Sequence, residues 1–495
     1  MSGFRPKLVV SLPARTAAEA SRQVEWARVA GGDLAEIRLD FWSATERQRV
    51  GRLFPSSLPL VGTLRSRAEG GSGPDASEER APVLMNLATE PFAFVDLEVA
   101  RDRQLEEPIR TLGRHIVRSS HLPKGSRTDD VRARLSGPPA PPGILKVVVP
   151  ASLTTAIADL LPLLENLPDP RPVLLTTGPP GALGRALARE LRLPWVFCSL
   201  PETEASDPVE PSQIPVDRMA RFYSVEGAPR FAVVGHPVAH SLSPRIQHAW
   251  MAQADRFGLY FPLDLSSPEE FRRALEYLPA HGFLGLNVTH PWKHLAYEAA
   301  ATRSADAIAS GIANCLSFGD GAISAENTDL DAIVRRLTEL REAGHWDGRA
   351  LTVLGGGGAA RATLVAAQRI GSRATVLTRR PSAAEALAAE FDARPALADG
   401  PATLIVNATD FGRAGRGPFE LPLRSLLSDR SYLLDWVYAP DDPQVEKMVR
   451  SAGARYEDGR RLLVYQAAAS YRIWWGEPPS PESVESMVKE LTCAA

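Results

Sequence analysis

Short runs of apolar residues recur through the first 220 residues, separated by stretches with a helical pattern. The runs are KLVVSL, LAEIRLD, LVGTLR, FAFVDLE, HIVRSSH, ILKVVVP, PVLLTTG and PWVFCS. Apolar strands joined by helical crossovers are typical of a parallel sheet with both faces covered. Eight strand and helix units over about 215 residues have the scale of a β/α barrel. The pattern predicts an α/β protein whose residues 1–222 form an eight-stranded barrel of the TIM type.

A new apolar strand, FAVVG, begins at Phe231, after turn residues at Gly227 and Pro229. A mixed α/β pattern follows it. Further along, ALTVLGGGGAARATLVAAQRIG gives a strand, a glycine-rich turn and a helix. That order is typical of a Rossmann-type nucleotide-binding unit. The second half therefore predicts α/β domains of a different kind from the barrel.

The length and composition of the chain narrow the class of protein without identifying it. At 495 residues the chain exceeds what one hydrophobic core usually serves, so two to four domains are expected. Lys and Arg number 56 against 59 Asp and Glu, which disfavours nucleic acid and anionic membranes as partners. The three cysteines lie far apart and form no metal-type or redox pair. No apolar stretch approaches membrane-spanning length, so we predict a soluble, cytoplasmic protein without a bound metal.

Polar residues fall near the carboxyl ends of the first apolar runs. They are Glu36, Arg38 and Asp40 in the second run, Arg65 and Glu69 after the third, Glu98 ending the fourth and His121 ending the fifth. In a β/α barrel the chemistry takes place at the carboxyl ends of the strands. We therefore expect these side chains to gather at one end of the barrel.

Lys146 lies in ILKVVVP, which otherwise has the composition of a buried strand. Because side chains alternate along a strand, Lys146 shares a face with Ile144 and Val148 and should point into the barrel. Burial, helped by a neighbouring arginine, would favour a neutral amine that can attack a carbonyl as a Schiff-base nucleophile. His121, at the end of the adjacent strand, would act as general acid and base. The alternative is a lysine at a strand edge whose amine reaches solvent.

Together these residues resemble the type I 3-dehydroquinate dehydratases over about residues 5–220. The shared motifs are E-x-R-x-D from Glu36, R-x-x-x-E-G-G from Arg65, D-L-E ending at Glu98, S-x-H ending at His121, the strand lysine Lys146, Arg185 and Gln213. The resemblance implies an imine at Lys146, proton transfer by His121 and orientation of His121 by Glu69. It also implies that Arg185 binds the substrate carboxylate, and that the hydroxyls are held by Glu36, Arg38, Arg65 and Gln213. The chain departs from the family at Leu122, where an acidic residue is usual, and at Val209, where a serine is usual.

The loop after FAVVG carries Ser241 and Ser243, followed by Pro244, which is placed to begin a helix. Two serines that alternate in an extended segment would face the same side and hold vicinal hydroxyls of one small ligand. The alternative is a serine turn followed by a helix N-cap.

A second strand, FLGLNVT, is followed closely by Lys293. A lysine with a carboxylate partner can donate a proton to the alkoxide that develops when a ketone is reduced. Asp329, in ENTDLDAI, is the candidate partner. The alternative is that Asn327 to Asp329 only cap a helix.

The glycine-rich turn matches G-x-G-x-x-A at Gly355, Gly357 and Ala360, with Gly358 and Ala359 in the same turn. Backbone N–H groups at the start of such a helix can bind a pyrophosphate. The next strand ends in Thr378, Arg379 and Arg380, where an NAD-binding protein would carry Asp or Glu. Guanidinium groups suit a 2′-phosphate, so the sequence favours NADP; the alternative is two solvated arginines.

The second half resembles the shikimate dehydrogenases over about residues 228–480. The shared motifs are G-x-P-x-x-H-S-x-S-P at 235–244, N-V-T-x-P-x-K at 287–293, Asn314, N-T-D ending at Asp329, the glycine turn, T-R-R, N-A-T at 407–409, D-x-V-Y-x-P at 435–440 and Gln466. The resemblance implies a catalytic pair of Lys293 and Asp329. It implies that substrate is bound by Ser241, Ser243, Thr289, Asn314 and Gln466, and that Asn407 and Thr409 belong to the cofactor site. Asp410 and Phe411 depart from the family pattern near the expected nicotinamide.

The same resemblance implies the division of the second half. Residues 228–331 would form a substrate-binding α/β domain, completed by helices at about 466–495. Residues 332–465 would form the Rossmann-type NADP domain.

The two resemblances together imply a bifunctional enzyme of the shikimate pathway of aromatic amino acid biosynthesis. It would dehydrate 3-dehydroquinate to 3-dehydroshikimate and reduce that product to shikimate with NADPH. One alternative is a dehydrogenase that prefers quinate. Another is a catalytically silent sensor of the same metabolites, which predicts the loss of Lys146, His121, Lys293 or Asp329, and all four are present. The oligomeric state is left open.

Overall fold

The computed structural model describes residues 4–52, 57–135, 143–152, 156–165, 171–178, 180–202, 204, 208–395, 400–411, 421–438 and 442–493. The chain forms two compact units. One comprises Met1–Arg230 and Phe257–Gly282, and the other Phe231–Arg256 and Phe283–Ala495. The three-domain division expected from the sequence stays a prediction.

The first unit contains an eight-stranded parallel sheet. Its strands are β1 (Lys7–Leu12), β2 (Leu34–Arg38), β3 (Leu60–Thr63), β4 (Phe92–Glu98), β5 (His115–His121), β6 (Gly143–Pro150), β7 (Val173–Thr177) and β8 (Trp195–Cys198). Their spatial order is β7-β6-β5-β4-β3-β2-β1-β8, and each adjacent pair is parallel. All eight predicted runs are strands, and the sheet curls into a near-closed barrel, as the sequence predicted.

The interior of the barrel is a packed apolar core. It contains Val9, Leu34, Val61, Val117, Val148, Val173, Leu175, Trp195 and Phe197, with Phe94 and Ile144 packed against them. Lys146 shares the inward face of Ile144 and Val148, as the alternation along β6 predicted. Because apolar side chains fill the interior, polar chemistry is confined to the carboxyl ends of the strands.

Helices of the first unit connect and cover these strands. They are Ala17–Val29, Ala44–Arg47, Ser77–Thr89, Glu106–Thr111, Thr128–Leu135, Leu161–Glu165, Gly181–Ala186, Val216–Tyr223 and Pro268–Tyr277, with a π-helix at Ala156–Leu160 and 3₁₀ segments at Leu39–Phe41, Val50–Arg52, Arg67–Glu69, Arg103–Leu105 and Pro279–His281. Strand β10 (Leu259–Asp264) also belongs to this unit. Several helices begin where the sequence provides a cap: the hydroxyls of Thr16, Ser43 and Ser267 each accept an N–H from the first turn.

The second unit contains two sheets. The first includes, in spatial order, β9 (Arg230–Gly235), β11 (Phe283–Val288), β13 (Cys315–Gly319), β14 (Ala322–Glu326) and β12 (Thr302–Arg303). The second is wholly parallel, in the order β16 (Arg373–Leu377), β15 (Ala350–Leu354), β17 (Leu404–Asn407), β18 (Tyr432–Asp435) and β19 (Arg455–Glu457). The strand order reverses at β15, with β16 on one side and β17 on the other. Ligands of open α/β sheets bind at such a point, and the glycine-rich turn follows β15.

The helices of the second unit are Ser243–Gln253, Lys293–Ala299, Ala305–Ser310, Thr328–Glu342, Gly358–Arg369, Pro381–Glu390, Leu423–Leu426, Gln444–Ser451, Arg460–Trp475 and Pro481–Cys493. Gly311 and Gly476 end two of them in the left-handed conformation, which glycine adopts without steric cost. Among the described residues, no helix is long and apolar enough to cross a membrane.

Candidate active sites

The amine of Lys146 is buried at the carboxyl end of the barrel. Its side chain is 5% exposed, and its Nζ lies 3.3 Å from Glu36 Oε1 and 3.4 Å from Asp96 Oδ2. The ring of Phe197 lies 4.2 Å from the same nitrogen. The alternative of a lysine that reaches solvent is therefore wrong. Two carboxylates, where the sequence led us to expect an arginine, contact the amine.

Glu36 is held by hydroxyls from the two neighbouring strands. Ser11 donates to Oε2 at 2.7 Å and Thr63 donates to Oε1 at 2.9 Å. Burial opposes the ionisation of Glu36, but the charges of Lys146 and Arg38 and these two hydrogen bonds outweigh it and lower the pKa of Glu36 to about 2. Glu36 is therefore a carboxylate at neutral pH.

Gln213 reaches the same group of residues. Its Nε2 donates to Ser11 Oγ at 3.1 Å, while its Oε1 is buried without a hydrogen-bond partner. A buried acceptor without a donor is costly. A ligand hydroxyl at this place would satisfy it.

Arg65 lies at the centre of a cluster of acidic residues. Its guanidinium donates to Glu69, Glu98 and Ser119 from Nη1, at 3.1, 3.1 and 2.9 Å, and to Asp96 from Nη2 at 3.0 Å. The residue is 3% exposed. These contacts make Arg65 the residue that holds the acidic side chains in position, whereas the resemblance implied direct contact with substrate hydroxyls.

The glycines after Arg65 allow its loop to fold back on itself. A Cβ at Gly71 or Gly73 would lie 2.4 or 2.6 Å from the carbonyl oxygen of Arg65, closer than real Cβ contacts come. The buried Asp40 joins this loop to β2, because it accepts two hydrogen bonds from Arg38 and one from the N–H of Ser72. The end of the E-x-R-x-D motif is thus hydrogen-bonded to the loop that carries the E-G-G motif.

His121 and Glu69 form the expected pair. His121 Nδ1 lies 3.0 Å from Glu69 Oε2, which also accepts the backbone N–H of His121 at 3.0 Å. Burial, followed by the charges of Arg65, Lys146 and Arg38, holds the pKa of His121 well below its usual value. Burial raises the pKa of Glu69 to about 7, since the charges of Glu98 and Asp96 partly offset that of Arg65. A neutral His121 with Nδ1 directed at Glu69 leaves Nε2 available as a base.

Arg185 follows β7 and is 3% exposed. Its Nη2 donates to Glu210 at 3.2 Å, and its Nη1 donates to Ser212 Oγ at 3.0 Å and to the carbonyl oxygen of Gly181 at 2.8 Å. The guanidinium therefore meets a carboxylate, although that carboxylate belongs to the chain.

In the second unit, Lys293 and Asp329 are in contact, with 2.5 Å between Nζ and Oδ2. Asn314 Nδ2 donates to the other oxygen of Asp329 at 2.8 Å, and Asn314 Oδ1 accepts the N–H of Thr328 at 2.7 Å. Asn327 occupies the N-cap position of helix Thr328–Glu342, but its side chain makes no capping bond. Asp329 therefore has a role beyond capping.

Ser241 and Ser243 both line the cleft of this unit, but the segment that carries them is not extended. Leu242 is in the right-handed helical conformation and Ser243 begins a helix. The expectation of two serines alternating along an extended segment was wrong, because the helix starts one residue earlier than Pro244 suggested. The N–H of Ser243 donates to Ser241 Oγ at 3.3 Å, which is the serine turn of the alternative interpretation.

Close backbone contacts bring Thr289 to the same place. A Cβ at Gly235 would lie 2.4 Å from Thr289 Cγ2, and the N–H of His236 donates to the carbonyl oxygen of His290 at 3.0 Å. The ends of β9 and β11 therefore meet, and the two motifs that follow these strands share one cleft.

That cleft has a volume of about 1070 Å³. Its lining includes these predicted residues: Ser241, Ser243, Thr289, Lys293, Asn314, Asp329, Gly355, Gly357, Gly358, Ala359, Thr378, Arg379, Arg380, Thr409 and Gln466. The dyad and the glycine turn are close, since a Cβ at Gly358 would lie 3.0 Å from Lys293 Cδ. One cleft of the second unit thus contains the dyad, the serines and the nucleotide turn.

Asn407 is not part of this lining. It is fully buried, donates from Nδ2 to Asp435 Oδ1 at 2.9 Å, and accepts the hydroxyl of Thr409 at 2.7 Å. Asp435 also accepts from Tyr456 OH and from the N–H of Val437. Burial raises the pKa of Asp435 to about 7, against the effect of these hydrogen bonds. Asn407 therefore shapes the loop that carries Thr409.

The glycine turn suits a dinucleotide. Gly355 has φ +111°, and a Cβ there would lie 2.7 Å from the carbonyl oxygen of Ala408, so only glycine fits. Gly357 caps helix Gly358–Arg369, and Gly357, Gly358 and Ala359 line the cleft, so the start of this helix borders it. Arg379 and Arg380 are exposed at the end of β16, as a site for a 2′-phosphate requires.

Sequence reasoning assigned no role to several side chains in these sites. They are Ser11, Thr63, Ser119 and Phe197 in the barrel, Asp96 within D-L-E, Glu210 and Ser212 beside Arg185, and Thr328, Trp436 and Asp435 in the second unit. The barrel residues could have been found from their position at the carboxyl ends of strands. No comparable signal marks Glu210, which lies in a loop.

Comparisons with known proteins match the two halves of the sequence separately. The type I 3-dehydroquinase family model matches residues 8–229, and the model of the shikimate dehydrogenase substrate binding domain matches residues 233–316. The shikimate dehydrogenase (NADP(+)) of Azorhizobium caulinodans is 35% identical over 276 residues, which are 54% of this chain and 96% of that protein. The protein of the same name from Xylella fastidiosa (strain Temecula1) is 38% identical over 271 residues, 52% of this chain and 95% of that protein.

Among solved structures, shikimate 5-dehydrogenase from Thermus thermophilus, in complex with NADP(H) and shikimate, is 31% identical. The match covers 53% of this chain and 99% of that one, with a TM-score of 0.47.

The two halves thus define a lyase domain followed by an oxidoreductase. The chain belongs to the shikimate dehydrogenase family, and its first half is a type I 3-dehydroquinase domain. It is a bifunctional enzyme of the shikimate pathway.

Proposed function

We propose that the barrel dehydrates 3-dehydroquinate to 3-dehydroshikimate and that the second unit reduces 3-dehydroshikimate to shikimate with NADPH. The observation that carries this proposal is that each unit contains its own complete set of groups. The barrel has a buried lysine amine beside a histidine and carboxylate pair. The second unit has a lysine and aspartate dyad in a cleft that also contains a nucleotide turn.

In the barrel, the Lys146 amine attacks the ketone of 3-dehydroquinate and forms an imine, with loss of water. The imine acidifies the adjacent C–H, and Nε2 of His121 removes that proton. His121 then protonates the leaving hydroxyl, and hydrolysis of the imine returns the amine, so that one molecule of water is lost overall. Glu69 remains hydrogen-bonded to Nδ1 of His121 throughout the reaction. Arg185 binds the substrate carboxylate, and Gln213 accepts a hydroxyl at its buried Oε1.

In the second unit, bound NADPH would supply a hydride to the ketone carbon of 3-dehydroshikimate. Lys293 donates a proton to the oxygen that becomes the alkoxide, and Asp329 orients the ammonium group. Ser241, Ser243, Thr289 and Gln466 hold the substrate hydroxyls and carboxylate, while Asn314 fixes Asp329. The N–H groups at Gly357 to Ala359 bind the pyrophosphate, and Arg379 with Arg380 binds the 2′-phosphate.

We also propose a cytoplasmic enzyme that acts on small molecules alone. The three cysteines support this compartment, because each is a free thiol.

One coupled assay tests both reactions. The full chain is given 3-dehydroquinate and NADPH, and we expect the NADPH absorbance to fall. Supplying 3-dehydroshikimate instead tests the second unit alone, and following enone absorbance without NADPH tests the barrel alone. The rates of NADP reduction with shikimate and with quinate are then compared. A faster rate with shikimate supports the proposal, and a faster rate with quinate identifies a quinate dehydrogenase. Absence of turnover in every arm would favour the silent sensor and refute the proposal.

A further inference from the structure

The carboxylate of Glu210 occupies one edge of the Arg185 guanidinium. Its Oε2 accepts from Arg185 Nη2 at 3.2 Å and also accepts the backbone N–H of Ser212 at 3.1 Å and the hydroxyl of Ser212 at 2.5 Å. A charge-assisted hydrogen bond from a guanidinium N–H to a carboxylate oxygen is the contact with which arginine binds a ligand carboxylate. The chain therefore presents an internal carboxylate where the substrate carboxylate is expected.

Nε and Nη1 of Arg185 also have hydrogen-bond partners within the first unit. Nε donates to the carbonyl oxygen of Phe197 at 2.8 Å, and Nη1 donates to the carbonyl oxygen of Gly181 and to Ser212 Oγ. The side chain is 3% exposed, whereas that of Glu210 is 23% exposed. The arginine is thus rigid and buried, and the glutamate is its partner on the solvent side.

The approach of this loop to Arg185 depends on a glycine. A Cβ at Gly181 would lie 1.9 Å from Ser212 Oγ and 2.6 Å from its Cβ. Any other residue at position 181 would displace Ser212 and, with it, the carboxylate that Ser212 binds. The sequence therefore supports this arrangement: Gly181 allows Ser212 to pack closely, and Ser212 holds the carboxylate of Glu210.

We propose that Glu210 determines anion specificity in the dehydratase, by occupying the carboxylate-binding edge of Arg185 until the substrate carboxylate displaces it. This rests on the proposed function, in which Arg185 binds the substrate carboxylate. A buried guanidinium without a counter-charge is costly, and Glu210 stabilises it between turnovers. An incoming anion must compete with a carboxylate that is tethered nearby at high effective concentration. Weakly held anions are thereby excluded, at the cost of a higher KM.

Displacement is feasible because Glu210 is partly exposed and can return to water. Its departure leaves the hydroxyl and N–H of Ser212 available to the substrate carboxylate. Ser212 then supplies a hydroxyl in the loop where the family serine is replaced by Val209.

The test is Glu210→Gln in the full chain, with dehydratase kinetics and competition by inorganic sulfate. The variant keeps the shape of the side chain and removes its charge. We expect the KM of the dehydratase for its substrate to fall about three- to tenfold with kcat unchanged, and the Ki of sulfate to fall by a similar factor. Glu204→Gln, which removes an exposed charge from the same loop, should change neither constant.

The other outcomes are equally decisive. An unchanged or raised KM, or a lower kcat, in a Glu210→Gln protein with an unaltered melting temperature would overturn the inference, since Glu210 would then only orient Arg185. Glu210→Ala provides a second variant should the first fold poorly. If the unmodified chain does not dehydrate 3-dehydroquinate at all, the proposed function fails, independently of Glu210.

Discussion

The amine of Lys293 lies 2.5 Å from Oδ2 of Asp329, although 36 positions separate the two residues along the chain. Lys293 begins helix Lys293–Ala299, and Asp329 lies in the first turn of helix Thr328–Glu342. Asn314 holds the second oxygen of Asp329 at 2.8 Å, so the carboxylate cannot rotate away from the lysine. The dyad is thus preorganised before substrate arrives.

We expect Lys293→Ala to slow the reduction of 3-dehydroshikimate, with a fall in kcat by a factor of about a hundred to ten thousand, because it removes the proton donor. The KM for NADPH should change little. Steady-state kinetics of the full chain measure both constants. Lys447→Ala, at an exposed position of the same unit, is the control and should leave them unchanged. A Lys293→Ala protein with ordinary kcat would show that another group, or water, donates the proton.

The apolar pattern was sufficient to predict the fold. All eight barrel runs are strands, and Lys146 lies on the inward face that alternation gave it. Both results follow from local rules: strands are short apolar runs, and side chains alternate along them. The glycine turn after β15 was equally predictable, because Gly355 has a positive φ that only glycine adopts easily.

The pairing of charged residues was less predictable. The position of Arg65 after β3 indicated the correct end of the barrel, but not that it would contact Glu69, Asp96 and Glu98. Asn407 was expected to belong to the cofactor site, but it is buried, bonds to Asp435 and does not line the cleft. A sequence shows which groups approach one end of a sheet. Which of them become partners depends on distances and burial that only the folded chain determines.

Lys146 should form a covalent imine. Its amine is buried in the barrel, beside the carboxylates of Glu36 and Asp96. Borohydride added with 3-dehydroquinate should inactivate the dehydratase and label one peptide, which mass spectrometry would identify. Lys146→Ala should lower dehydratase activity by at least about a thousandfold, while the exposed Lys124→Ala should not. Labelling of any other lysine would contradict the assignment.

Glu69 should produce an acidic limb near pH 7 in the pH–rate profile of the dehydratase. Burial raises the pKa of Glu69 to about 7, so the carboxylate forms only as the pH rises through that value. The ionised group then accepts the Nδ1 proton of His121 and leaves Nε2 as the base. We expect kcat/KM to rise from about pH 6 to about pH 8, and Glu69→Gln to abolish that rise. A limb that persists in the variant would belong to a different group.

Arg379 and Arg380 should decide between NADP and NAD. Both are exposed at the end of β16 and line the cleft. Replacing both with Gln removes a charge-assisted phosphate contact, so the KM for NADP should rise about ten- to hundredfold. The KM for NAD should change far less, since NAD has no 2′-phosphate. Dehydrogenase kinetics with each cofactor give the ratio, and an unchanged ratio would refute the assignment.

Asp435 should make the folded chain less stable as the pH rises. Its pKa is raised by burial from 3.8 to about 7, a difference that corresponds to on the order of 4 kcal/mol. Below about pH 4 the carboxyl is protonated in both the folded and the unfolded states, and the full stabilisation is present. Between about pH 4 and pH 7 only the folded state retains the proton, so the free energy of unfolding falls as the pH rises.

Asp435→Asn keeps a neutral group that can bond to Asn407, Val437 and Tyr456. Calorimetry should therefore find that the melting temperature of the variant exceeds that of the unmodified chain by a margin that grows from about pH 4 to about pH 7 and is largest at pH 8. The exposed Asp442→Asn should produce no such difference, and a variant that is less stable at pH 8 would mean that Asp435 is stabilised there as a carboxylate.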